Sequence, residues 1–204
     1  MKCWEVLERR CVADASPFLR LVREKVRLED GRIIDDYFTL EEPDFAVVFA
    51  VTPREEAVAI WHYKHGPGRI NLGLPAGYVK DGEAPLEAAR RELIEETGYT
   101  APSWRHLGSF SVHGNRGCGK AHVFLAQDAV KTADPSPDDL EEIRVELLPF
   151  GVLREHLANG DVATLGAAAG MALGIAGYMK GPGELRGTAG YTGSGMVNPG
   201  RTEE

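Results

Sequence analysis

The run GYVKDGEAPLEAARRELIEETGY, from Gly77 to Tyr99, gathers the residues of this chain best suited to chemistry. Its pattern is G-x5-E-x7-R-E-L-x-E-E-x-G-Y, with Glu83, Arg91, Glu92, Glu95, Glu96 and Gly98 at the marked positions. A helix has about 3.6 residues per turn, so Glu92, Glu95 and Glu96 stand at i, i+3 and i+4 on one face. Like charges that close destabilise a bare helix by roughly a few tenths of a kcal/mol per pair. Hard divalent cations seek such oxygen clusters, and Mg²⁺ takes one or two carboxylates together with substrate phosphates. The physical reading is a metal site built to meet phosphate. The bland alternative is a solvated acidic helix face. The preceding LPAGYVKDGE weighs against it, because a proline, two glycines and a turn let backbone approach a ligand closely.

The elements that must position these side chains are legible around them. Pro85 suits a first helical turn, where its missing N–H costs nothing. Gly98 suits the residue just past the helix end, where a left-handed conformation favours glycine. Leu86, Ala89, Leu93 and Ile94 make an apolar stripe that should pack on a sheet. Glu87 and Arg91, like Arg91 and Glu95, are i, i+4 pairs, so Arg91 can hold carboxylates in place. FAVVFAV (Phe45 to Val51) and AVAIWHY (Ala57 to Tyr63) read as buried core strands, and Ile70 to Leu74 leads into the glycine loop. Trp4 to Leu7, Leu21 to Leu28 and Ile33 to Leu40 have strand composition, the last two joined by an Asp30-Gly31 turn. Trp104 to Val112, Ala121 to Ala126 and Ile143 to Leu148 read as further strands, with loops at His113–Lys120 and over 134–139. Phe150 to Asn159 and Val162 to Met179 read as helices, the second rich in Ala and Gly. Residues 181–204 carry many glycines and few large apolar groups, the composition of a flexible tail.

Composition narrows the class. With 204 residues, 43% hydrophobic and 26% charged, the chain has globular usage and room for one ordinary core. A net charge of -8 argues against nucleic-acid binding, which needs a basic face. It also means a polyphosphate must be met by local cations. Cys3, Cys11 and Cys118 show no metal-ligand spacing and fit reduced thiols in a cytoplasmic protein. The start, MKCWEVLERR, lacks an apolar secretion core, and no stretch approaches the length of a membrane span.

Gly77 to Gly98 matches every fixed position of the Nudix box, and Tyr99 fills its last apolar position, so the chain resembles the Nudix hydrolases. The resemblance implies an α+β fold, an α/β/α sandwich with a mixed sheet, and Mg²⁺-dependent hydrolysis of a diphosphate, with Mn²⁺ as an alternative cation. A longer stretch, roughly residues 2–175, resembles the ADP-ribose pyrophosphatase branch, which also hydrolyses nucleoside diphosphate sugars. An N-terminal β unit, the run HYKHGPGRINLGLPAG and the acidic loop at 138–145 carry that likeness. The implied organisation is an N-terminal antiparallel unit over 1–44 that exchanges in a homodimer, a Nudix domain over 45–180 and the tail. Three departures stand out. Gly73 replaces the branch's Glu before L-P-A-G, Lys64 replaces an arginine, and a proline some sixteen residues past the box is absent.

The resemblance also implies roles. Glu92 and Glu96 are metal ligands, Glu95 is a third ligand or a base, and the Ala76 carbonyl is a further ligand. Arg91 orients the glutamates, while Glu83 holds loop to helix. Glu142, preferred over Glu141, is the general base; the alternative is a surface charge run. Lys64 and Arg69 are phosphate contacts or else exposed strand-edge cations. Apart from the resemblance, the composition of the glycine-rich loop suggests that Arg116 and Lys120, with Asn115, hold phosphate or sugar or else mark a mobile hairpin tip. Trp4 stacks on a nucleobase or packs the small β unit. Cys118, His113 and His122 receive no chemical role. The substrate expected is a nucleotide sugar such as ADP-ribose. The competing readings are a nucleoside triphosphate or dinucleoside polyphosphate hydrolase and a non-catalytic nucleotide sensor.

Overall fold

The computed structural model of the protein describes residues 3–136 and 142–179. Central strand β4 (Phe45–Val51) is apolar at every position because both of its faces are covered. Val47, Phe49 and Val51 face one core cluster, and Ala46, Val48 and Ala50 face the other. Helix α1 (Pro85–Thr97) covers the second of these through Ala88, Ala89 and Leu93. Helices α2 (Phe150–Asn159) and α3 (Leu165–Met179) cover the first through Leu153, Met171 and Ile175. The layers are therefore helix, mixed sheet, helix: the α/β/α sandwich the sequence implied.

The glycines of α3 have a packing reason. A Cβ at Gly174 would overlap the Phe49 ring, and one at Gly170 would come within 2.8 Å of Val47 Cγ1. The helix lies this close to the sheet only because side chains are missing there. It begins at Leu165, after an irregular stretch, rather than at Val162.

β4 runs parallel to β10 (Gly117–Gln127) and antiparallel to β5 (Glu56–Lys64), which in turn pairs with β12 (Ile143–Pro149). Its pairing with β5 lasts only through Ala50↔Val58 and Val51↔Ala57. Beyond that the two strands part. β6 (Arg69–Gly73) follows β5, and short β7 (Ala76–Tyr78) follows β4 through Ala46↔Gly77 and Val47↔Ala76. The parting of β4 and β5 opens the protein where the glycine loop enters the helix, and the sequence offered no signal for β7.

β1 (Glu5–Ala15), β2 (Leu19–Arg27) and β3 (Ile33–Glu41) form an antiparallel meander. It joins the main sheet through one parallel pairing, Leu40 with Gly117. β1 runs well past the expected Leu7. Its charged residues are solvated while the backbone ladder to β2 continues from Glu5↔Arg27 to Ala15↔Leu19. The expected loop at His113–Lys120 shrinks to a tight turn, because residues 117–120 belong to β10 and pair back to β9 (Ser103–His113). A two-stranded sheet of β8 (Tyr99–Thr100) and β11 (Val130–Lys131) closes the far end of α1. Among the described residues no helix is long and apolar enough to cross a membrane. The flexible-tail expectation, and residues 138–141 of the acidic loop, Glu141 among them, lie outside the described residues.

Candidate active site

Helix α1 starts at Pro85 behind an extended Ala84 and ends at Gly98, whose φ of 75° is left-handed. That frame sets Arg91 over the loop that precedes the helix. Arg91 Nε and Nη2 donate to the two Glu83 carboxylate oxygens at 2.9 and 3.0 Å, and Nη2 also donates to the Tyr78 carbonyl at 2.9 Å. Glu83 accepts the Lys80 N–H at 3.0 Å, so one carboxylate closes the turn and anchors the arginine. These bonds, the Arg91 fork first, hold the Glu83 carboxyl down to about 2. The same contacts push the Arg91 guanidinium above its ordinary range.

Arg91 Nη1 then reaches Glu92 at 2.5 Å and Glu95 at 3.2 Å. Glu87 does not share this arginine; it pairs with Arg90 at 2.8 Å on the exposed side of the helix. The reason is that Arg91 turns inward toward the glycine loop. Burial pushes the Glu92 carboxyl up, against the pull of Arg91. Glu96 is only 4% exposed and accepts the Ala76 N–H at 2.9 Å. A Cβ at Gly77 would overlap the Glu92 carboxylate, so glycine is what admits that group beside β7.

These donors suit a hard divalent ion chemically: three carboxylates and the β7 backbone, partly buried and close to glycine. They do not converge as a finished cage, and among the described residues no group of three or more His, Cys, Asp or Glu stands ready to hold an ion. Mg²⁺ asks less than such a cage, since it keeps waters and takes substrate phosphates as ligands. Arg91 supplies the counter-charge in the arrangement seen, and the residues fit the ion.

A cavity of about 460 Å³ opens where β4 and β5 part. Ala76, Gly77 and Tyr78 form one wall, so β7 separates the cavity from the carboxylates by a single backbone. His62 and Lys64 of β5 line it with Gly73 and Leu74, and Phe45, Val112 and the start of α3 complete it. Ile143 pairs with His62, which brings the exposed Glu142 to this end of β12.

The other residues singled out in the sequence fall elsewhere. Arg69 Nη2 donates to the Gly160 carbonyl at 2.6 Å and ties β6 to the end of α2. Arg116 sits in the 114–116 turn, its Nη1 3.5 Å from the Phe38 carbonyl, and Tyr37 Oη donates to the Asn115 carbonyl at 2.6 Å. That turn stitches β3 to the main sheet. Lys120 is exposed and its N–H donates to Asp44. Neither Arg116 nor Lys120 lines the cavity. Trp4 packs edge-on against Tyr37, with ring centroids 5.5 Å apart. His122 of β10 bridges Asp44, just before β4, at 3.0 Å, and Ser109 of β9, at 2.7 Å. Sequence reasoning missed Phe45, His62, Val112 and the α3 start as cavity residues. They are distant in sequence and share no motif.

The family model described as the NUDIX domain matches residues 41–164, more than half of the chain. The chain belongs to the Nudix family. Within that family it falls in the ADP-ribose pyrophosphatase branch, and it is a hydrolase of phosphorus-containing acid anhydrides. The chain is 28% identical to a CMP-5'-(N-acetyl-N-hydroxy-3-aminopropyl)phosphonate hydrolase of Streptomyces rubellomurinus, over 84% of each chain. It is 30% identical to an ADP-ribose pyrophosphatase of Bacillus subtilis, over 60% of this chain and 68% of that one. Among solved structures, an ADP compounds hydrolase superposes with a TM-score of 0.77, covering 91% of this chain and 98% of that one. At 20% identity this last likeness concerns the fold.

Proposed function

We propose that this protein uses Mg²⁺ to hydrolyse the diphosphate of a nucleoside diphosphate sugar, ADP-ribose or a relative. The products are a nucleoside monophosphate and a sugar phosphate. The observation that carries the reading is the shared wall: β7 presents Ala76 and Gly77 to the cavity and to the carboxylates at once. A diphosphate held at this wall would have its phosphates on the Glu92 and Glu96 side and its substituent in the cavity. A bound divalent ion neutralises phosphate charge and makes a coordinated water more acidic.

The chain's own residues have separable parts in this reading. Glu92, Glu96 and the Ala76 carbonyl hold the ion. Glu95 is the third ligand or a base, and Arg91 positions the glutamates through Glu83. Glu142 takes the proton of the attacking water, for which its place beside the His62 end of β5 is suitable. Lys64 is the cation of the cavity. Arg69 is held by the Gly160 carbonyl, and neither it nor Arg116 nor Lys120 is among the residues lining the cavity, so no substrate contact within one chain is assigned to them. Trp4 belongs to the meander, whose β1 is an exposed edge; pairing of two such meanders would make a homodimer and bring aromatic surface toward a base. Size-exclusion with light scattering tests that part, and a monomer at working concentration would remove it.

The relative that hydrolyses a CMP-linked phosphonate supports a wider acceptor range, with phosphonate in place of sugar phosphate. A hydrolysis screen with Mg²⁺ and with Mn²⁺ tests the proposal. ADP-ribose, ADP-glucose, GDP-mannose, UDP-glucose, dinucleoside polyphosphates and nucleoside triphosphates would be compared by product chromatography. Preferential cleavage of a diphosphate sugar is expected, and turnover of triphosphates alone would overturn the substrate assignment.

A further inference from the structure

We propose that Lys80, in the turn between β7 and α1, is the cation that meets the substrate's diphosphate beside the metal-binding carboxylates. This rests on the diphosphate reading above. A guanidinium has five N–H donors. In Arg91, Nε donates to Glu83, Nη1 to Glu92 and Glu95, and Nη2 to Glu83 and the Tyr78 carbonyl, five bonds in all. No donor is left for a phosphate, so Arg91 supports the glutamates rather than contacting substrate. Arg90 is committed to Glu87, at 2.8 Å, and lies over the Trp104 ring. Lys80 is the remaining cation between Gly77 and Tyr99. It is exposed, and its ammonium makes no hydrogen bond or ion pair among the described residues. Its backbone, by contrast, is fixed. The Lys80 N–H donates to the Glu83 carboxylate at 3.0 Å, its carbonyl accepts the Glu83 N–H at 2.9 Å, and the preceding Val79 N–H donates to the Asp44 carbonyl at 2.9 Å. Lys80 is thereby held against the carboxylate that the Arg91 fork grips, just past the β7 wall. From there its charge acts on Glu83 and Glu92, adding to the larger pull of Arg91 on both. A flexible stem on a fixed root lets an ammonium follow phosphate oxygens. In a chain of net charge -8, a polyanion that approaches three carboxylates needs such a local cation beside the divalent ion.

The test compares Lys80→Gln and Lys80→Arg with the wild type by calorimetry on the whole chain. Mg²⁺ is titrated alone, and then α,β-methylene-ADP, a diphosphate analogue with an uncleavable bridge, at saturating Mg²⁺. A cation beside a metal site opposes the metal, so Lys80→Gln should bind Mg²⁺ roughly two- to threefold tighter. The same variant loses a charged hydrogen bond to phosphate, so it should bind the analogue about tenfold more weakly, and kcat/KM on the best diphosphate sugar should fall by a similar factor. Lys80→Arg should return both affinities toward wild type, and the melting temperature should stay unchanged in both variants because the side chain is exposed. Opposite signs for metal and diphosphate are the signature, since a lysine that only shaped the loop would weaken both or change neither. Unchanged binding of the analogue, or Mg²⁺ binding weakened along with it, would overturn the inference. Failure of the wild type to bind α,β-methylene-ADP would instead count against the nucleoside diphosphate reading. Methylenediphosphonate, which carries the phosphates alone, would then make the same comparison and decide this one.

Discussion

Gly77 and Glu92 share one volume: a methyl group on Gly77 would occupy the place of the Glu92 carboxylate. Gly77 pairs with Ala46 on β4, and Glu92 belongs to the middle of α1. The helix can bring its carboxylate up against β7, behind the cavity wall, only because the strand has no side chain at that point. Gly77→Ala should therefore keep the fold and lose the site. The clashing atoms are the far end of a flexible side chain, so the melting temperature should move little while hydrolysis falls by about tenfold or more, the scale expected when a positioned group is displaced by about an ångström. Thermal melts beside kinetics on the best substrate check it.

Glu96→Gln should separate chemistry from architecture. The glutamine oxygen can still accept the Ala76 N–H, which preserves the bond between helix and β7. The negative charge is gone, and with it the pull on a divalent ion. Hydrolysis should fall by orders of magnitude at unchanged folding, read by circular dichroism and steady-state rates. Unaltered turnover would remove Glu96 from the metal site.

Arg91→Ala should cost both stability and activity. It removes the donor to Glu83, Glu92 and Glu95 together and leaves partly buried carboxylates without their counter-charge. Hydrogen bonds to charged groups are worth about 1.5–3 kcal/mol each when a partner is left unsatisfied, and a loss of that order is expected from chemical denaturation. Added Mg²⁺ should recover part of it, since an ion can replace the missing cation. Arg91→Lys keeps charge but not the fork to Glu83, and should fall between the two.

Glu83 should contribute a distinct acid limb to stability. Its carboxyl titrates near 4.5 in an unstructured chain and near about 2 in the fold. A depressed acid stabilises the fold fully above the higher value and loses that contribution as pH falls from about 4.5 through about 2. The melting temperature of the wild-type protein in metal-free buffer should drop across this window. Glu83→Gln, which cannot ionise, should start lower at neutral pH and show a shallower drop.

Gly174→Ala should destabilise the protein although alanine is the better helix former. The helical preference is worth about 1 kcal/mol in favour of alanine. Against it stands overlap with the buried Phe49 ring, and overpacking of a core typically costs about 1–3 kcal/mol. A lower melting temperature with retained activity per folded molecule is expected. The same change at Gly151, where nothing lies near the position, serves as the control.

The reach of the sequence differs between the two halves of this account. The box helix, its start at Pro85 and its stop at Gly98 were legible because local chemistry dictates them: a ring without an N–H at one end and a left-handed residue at the other. β4 was legible to the residue because a strand covered on both faces must be apolar throughout. The spacing of the helix carboxylates pointed to a metal site for phosphate, and the resemblance of Gly77 to Gly98 to the Nudix box implied family and reaction class. The sequence was silent on β7, the parting of β4 from β5 and the cavity between them. Those depend on which strands pair, a matter of contacts among residues far apart in the chain. Nor did it show which partners Glu87, Arg69 and Arg116 take, for the same reason. A charged residue's spacing shows which partners it can reach, but only packing decides that Arg91 turns inward, that Arg69 ends on the Gly160 carbonyl, and that the glycine turn holding Arg116 fastens β3 to the sheet. The sequence alone determined the chemistry of the helix face; tertiary structure decided what that face looks out upon, because a cavity is a property of diverging backbones rather than of any one segment.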